Sequence, residues 1–208
     1  MSKRIKSLGT RHFQNNFIIY FTLTIFFLIG IISGSILINR LSAQQNYKLV
    51  SKFNWIFDYR VNTKPLDVFK ITLFSNLKFM LIIWLTGLTS LGIVIIPFII
   101  SFRGGVIGFT VGYLIKEYGI KGFIFSLSGL LPHYLIILPG ILAVGALGLS
   151  FAINSKKIKL GNPLIKVNQK KIIDYSILFL FLLLFITLGC IIESLTTTYF
   201  LKIIATGI

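Results

Sequence analysis

The sequence predicts an all-α, polytopic membrane protein, and three observations carry that prediction. Hydrophobic residues make up 55% of the 208-residue chain and the mean hydropathy is +0.90, well above what a soluble domain shows. Several uncharged runs approach or exceed the roughly 20 residues that cross a bilayer core of about 30 Å as helix. The charges, 21 Lys and Arg against five carboxylates for a net +16, lie almost wholly outside those runs. About five transmembrane helices are expected in a single membrane domain.

The first span is read over 17–38, a run without charge that ends just before Arg40. Its length suits a retained helix rather than a secretory signal, whose apolar region is about 7–15 residues. Residues 39–77 form an outward loop in this reading. Within it Ser42 is a candidate helix cap, and Leu49, Phe53, Ile56 and Tyr59 recur at helical spacing with lysines between. Trp55 and Phe57 widen the apolar face. The spacing predicts an amphipathic helix that lies on the membrane or offers Phe53, Trp55, Ile56 and Tyr59 to a partner. Packing against its own bundle is the alternative.

The second span is read over 79–101 and a third, short and glycine-rich, over 104–118. The apolar part of the short one, 104–115, rises only about 18 Å, whereas the run 122–153 rises about 48 Å. Proline removes a backbone donor and biases its predecessor away from helix. A break near Leu131 therefore leaves 132–153 as the fourth span, with Pro132, His133 and Pro139 at the break and 122–131 interfacial or re-entrant. The segment 154–172 is a basic cytoplasmic loop, and 173–194 is the last span.

Counting cations tests this topology. With a cytoplasmic N-terminus and five spans the inside receives Lys3, Arg4, Lys6, Arg11, Arg103 and six lysines from Lys156 to Lys171, eleven against ten outside. If the short segment does not cross, the balance becomes eight against thirteen, which opposes the positive-inside tendency. A basic balance of this kind serves topology and anionic lipid, since no soluble domain is left to present a nucleic-acid patch.

Catalysis in a membrane needs paired carboxylates, a nucleophile with its base, or a metal-ligand set at depth. Asp58, Asp67, Glu117, Asp174 and Glu193 are read at or beyond segment ends, two histidines cannot make a ligand set, and Cys190 is the single cysteine. The sequence therefore predicts no catalytic, metal or cofactor site and no small-molecule substrate. His133 is the one ionisable residue expected near an apolar interior, and a helix-break role is favoured over a proton site for lack of a neighbouring acid. Gly104, Gly108 and Gly112 recur every four residues and share a helix face open to close approach by another helix. Gly148 and Ala152 repeat the pattern. The face fits its own bundle, a second copy of the chain or another protein.

The run from Arg103 to Ala152, with "NLKFMLIIWLTGLTSLGIVIIPFIISF" upstream and the opening "IFFLIGIISGSIL", resembles the stage II sporulation protein M family. The wider family often carries Pro-His-Gly with a glutamate three residues after the glycine. Here Pro132 and His133 are kept, while Tyr134 and Ile137 stand at the other two places, as in the endospore-forming branch. The resemblance implies a scaffold of the mother-cell membrane that acts in forespore engulfment. It also implies two anchored, wall-degrading partners, sporulation proteins D and P, gathered at the septum. Two other functions fit the bare sequence: a small transporter or channel subunit using a broken helix around Pro132–Pro139, or a lipid-handling protein acting through the basic loop.

Overall fold

The computed structural model describes residues 16–42, 44–52, 63–161 and 169–206. The chain is helical: α1 is Phe17–Asn39, α2 Pro65–Gly87, α3 Gly92–Gly161 and α4 Gln169–Thr206. A shorter helix over 44–52 follows α1. Five stretches are long and apolar enough to cross a membrane: Phe17–Asn39, Pro65–Gly87, Gly92–Ile124, Tyr134–Ser155 and Gln169–Thr196. The expected number of crossings is met. Their boundaries differ from the sequence reading, and each difference has a local cause.

The run read as one span over 79–101 is two helices joined by a turn over 88–91. Thr86, Thr89 and Ser90 supply it, with the Thr89 hydroxyl donating to the Thr86 carbonyl at 2.8 Å and the Leu88 N–H to the Leu85 carbonyl at 3.2 Å. Hydroxyls that satisfy backbone groups end a helix without lowering hydropathy much, so the pattern hides the turn. In consequence α2 begins at Pro65, a residue suited to the first helical turn, and takes residues 65–77 out of the expected loop. The glycine-rich segment is no separate short span but the second half of a helix that starts at Gly92.

The break expected at Pro132 falls at Gly119 instead. Its φ of 57° and ψ of −133° are the one non-helical pair inside α3, which divides into arms over 92–118 and 120–161. Side chains with a Cβ avoid this region of backbone space, whereas glycine enters it freely. The backbone stays helical from 120 through Pro132, His133 and Pro139, because a membrane helix tolerates one missing donor when its neighbours re-satisfy the freed carbonyl. Gly119→Ala is expected to lower stability by about 1–3 kcal/mol although nothing lies within 4 Å of the added carbon. Thermal unfolding of the purified chain, with Lys121→Ala as control, measures it.

The second arm of α3 is the axis of the bundle. Ile137, Ile141, Val144, Ala146, Leu147 and Leu149 are buried along it. Gly145 meets Ile100 and Leu23, and Gly148 meets Ile96 of the first arm and Ile83 of α2. Gly140 meets Ile186 and Gly189 meets Ile137, so α4 runs antiparallel to this arm. At the end near the 88–91 turn, the Tyr175 hydroxyl donates to the Trp84 carbonyl at 3.1 Å and its ring stacks on Phe151 at 4.5 Å. Outward faces are apolar, with Ile18, Ile32, Phe98 and Leu184 each at least 61% exposed, the surface a lipid environment accepts.

Candidate functional site: a polar layer inside the bundle

Two features stand out from this apolar bundle, a glycine seam and a polar layer. The seam joins α1 to the first arm of α3, which run parallel. A Cβ at Gly104 would strike the Phe27 carbonyl, one at Gly108 the Ile31 carbonyl, and one at Gly112 would lie 3.3 Å from the Ser35 Cα. From the other side Gly30 and Gly34 abut the carbonyls of Ser101 and Gly105. The Ser35 hydroxyl donates to the Gly108 carbonyl at 3.0 Å. The face defined by Gly104, Gly108 and Gly112 is thus occupied by the chain's own α1. Gly30 and Gly34 were missed in the sequence reading, although "GIISG" shows the same four-residue spacing. Gly148 packs on Ile83 and Ile96, and Ala152 is fully buried beside Gly92.

The polar layer lies inside the bundle. Arg103 adjoins Gly104, which abuts Phe27 near the middle of the uncharged α1, and it stands about 16 Å along its helix from Gly92. Its Nη2 donates to Asn76 Oδ1 at 2.7 Å. The Asn76 amide donates in turn to the Thr72 carbonyl at 3.1 Å and to Cys190 Sγ at 3.4 Å. The Thr72 hydroxyl donates to Glu193 Oε1 at 3.3 Å. The Arg103 guanidinium also stands over the Phe79 ring, 5.1 Å from its centroid. Asn76 is 2% exposed and Cys190 fully buried. One network therefore ties α2, the first arm of α3 and α4 together in a medium where each bond competes weakly with water.

This layer corrects two expectations. Arg103 was placed at an interface and stands inside the first arm of α3, at the level of the buried network, whereas Glu193 joins that network from near the end of its apolar stretch, as expected. The helices are longer than the hydropathic runs, which moves their charges inward. A reading that joined 92–101 to 104–118 as one helix finds Arg103 at its centre. His133 is accordingly not the one ionisable residue at depth. Its backbone is helical, its side chain lies outside the described residues, and the register that sets 140 against 186 and 137 against 189 carries position 133 to the level of 193.

At the end of the bundle away from the 88–91 turn, Ser42 and Gln45 cap the 44–52 helix reciprocally, Ser42 N–H to Gln45 Oε1 at 3.0 Å and Gln45 N–H to the Ser42 hydroxyl at 3.4 Å. The Asn46 amide donates to Glu117 at 2.9 Å, and Lys116 Nζ donates to the Ile38 carbonyl at 3.0 Å, closing the end of α1. Phe53, Trp55, Ile56 and Tyr59 lie outside the described residues, as does 162–168 of the basic loop.

The family model for stage II sporulation protein M matches residues 23–198, most of the chain. The chain belongs to the stage II sporulation protein M family. No curated protein and no solved structure matches it. As a member of that family it is a sporulation-related membrane protein, and its five apolar helices fit a multi-pass membrane protein. The matched region runs from Leu23 in α1 past Glu193 in α4, so the glycine seam and the polar layer both fall within what the family model spans.

Proposed function

We propose that this stage II sporulation protein M family member is a non-enzymatic scaffold of the mother-cell membrane at the sporulation septum. With its N-terminus in the cytoplasm, it gathers anchored peptidoglycan hydrolases similar to sporulation proteins D and P for forespore engulfment. The family match over 23–198 carries this reading. The geometry supports it, since the polar side chains at depth hold α2, α3 and α4 to one another, a use suited to keeping a shape that others bind. The transporter reading started from a broken helix at Pro132–Pro139, where the backbone is helical.

The test is replacement of the resident family member of a spore-forming host by this chain with an affinity tag. Engulfment is expected to proceed, and the D-like and P-like hydrolases to co-purify with the chain. Arrest of the hydrolases at no particular site in its absence, with their activity in solution unchanged, completes the expected result. Normal engulfment without any family member, or wall turnover by the purified chain alone, overturns the proposal.

A further inference from the structure

We infer that the groove between the first half of α1 and the start of α3 binds one acyl chain of an anionic phospholipid, with the phosphate headgroup at the groove's mouth, where Lys156 and Lys157 follow. Such a site goes beyond the scaffold reading and does not depend on it.

The groove is one leaflet deep. Ile18, Thr22 and Ile29 line it along α1, Val94 and Phe98 along the first arm of α3, and Ile153 of the second arm lies on its floor. From Ile18 to Ile29 the helix rises about 16 Å, against about 15 Å for half of a bilayer core. Its inner end is blind. There the glycine seam brings the two helices into backbone contact, Gly30 on the Ser101 carbonyl and Gly104 on the Phe27 carbonyl, so a chain that enters at the surface stops near the midplane. A partner's transmembrane helix runs the full thickness and is not matched by a slot that closes half-way. The volume, about 670 Å³, is that of a small-molecule site. The walls suit hydrocarbon, since the Thr22 hydroxyl is spent on the Ile18 carbonyl at 2.8 Å.

The mouth selects the headgroup by charge. α1 begins at Phe17 and α3 at Gly92, at the same end because the two helices run parallel, and neither has an acid in its first turn. Two positive helix ends therefore stand at the phosphate level. The second arm passes this point in the opposite direction: the Ser150 hydroxyl donates to Asn16 Oδ1 at 2.7 Å, and the helix continues to Gly161. Lys156 and Lys157 come three and four residues after Ile153, on the helix face that lines the groove and one turn further out. Residues 1–15 add Lys3, Arg4, Lys6 and Arg11 without an acid, and those four cations keep that segment itself out of an apolar slot. Among the described residues the carboxylate at this end is Asp174, on α4, which does not line the groove. A phosphodiester without a compensating amine gains most from such a mouth.

The test adds phosphatidylglycerol or phosphatidylethanolamine to the delipidated full chain in neutral detergent and reads retained lipid by native mass spectrometry. One phosphatidylglycerol per chain is expected, held about 10-fold more tightly than phosphatidylethanolamine. Val94→Trp, at a position 75% exposed, fills the groove and is expected to weaken both lipids about 5-fold or more. Ile18→Trp, from the other wall, repeats that result, whereas Leu184→Trp on α4 leaves binding unchanged. Lys156→Gln with Lys157→Gln is expected to reduce the headgroup preference to about 2-fold or less. Binding that ignores both groove-filling variants overturns the inference, as does equal retention of the two lipids by the unaltered chain. Displacement of the lipid by an equal concentration of glycerol 3-phosphate assigns the cations to a free phosphate, and a dimer joined through this face without lipid assigns the groove to a second copy; either overturns it as well.

Discussion

Gly108→Leu is expected to remove the folded chain from the membrane. The atom in the way is the Ile31 carbonyl carbon and oxygen, with the Ile31 Cα 2.8 Å from the new Cβ, and a helix backbone does not move aside as the tip of a flexible side chain does. Overpacking a core commonly costs about 1–3 kcal/mol, and a clash with backbone at the α1–α3 seam belongs at or above the upper end. The same seam supplies a control. A Cβ at Gly105 meets the Gly30 carbonyl at 3.6 Å, ordinary contact, so Gly105→Ala is expected to stay within about 1 kcal/mol of the parent. Yield of monodisperse protein in detergent and its unfolding temperature separate the two. A Gly108→Leu chain as stable as Gly105→Ala refutes the seam.

Asn76→Leu is expected to be the most damaging change to the polar layer, and Arg103→Met to relieve it. Asn76 is the hub: it accepts from Arg103 and donates to the Thr72 carbonyl and Cys190. Leucine leaves the guanidinium facing hydrocarbon, a loss of about 2–3 kcal/mol given the strength of hydrogen bonds to charged groups. Arg103→Met alone leaves an amide oxygen without its donor, about 1 kcal/mol, and also removes a charge that is expensive at this depth. The double variant is therefore expected to be more stable than Asn76→Leu alone, with a coupling of about 1.5–3 kcal/mol in a double-mutant cycle. Additive losses would show that the two side chains do not depend on one another.

The number of crossings was legible because uncharged length is a direct readout of bilayer thickness. The boundaries were not, and "WLTGLTSLGIV" shows why. Threonine and serine hydroxyls bond to carbonyls one turn back, so a turn can sit among residues that hydropathy scores as membrane. Shifting that one boundary moved Arg103 from an interface to the middle of a helix. The role of Pro132 was over-read, since a proline records a missing donor rather than a change of direction. Gly119 carried the information, a glycine between Tyr118 and Ile120 at the end of a charged "KEYG" stretch. Of the polar layer, Asn76 and Thr72 gave no signal of their own, because lone amides and hydroxyls acquire meaning only from what faces them across helices.

The central position of residues 120–161 has a consequence for how the protein is made. The arm that fills the axis emerges from the ribosome after α1, α2 and the first arm of α3, which enter the bilayer with their future inner faces turned to lipid or to the insertion machinery. Arg103 finds Asn76 within that early group, whereas Cys190 and Glu193 arrive only with the last helix. Biogenesis thus holds a half-built, charge-bearing intermediate until α4 has been made, and a chaperone or insertase that recognises an intramembrane arginine has a defined interval in which to act.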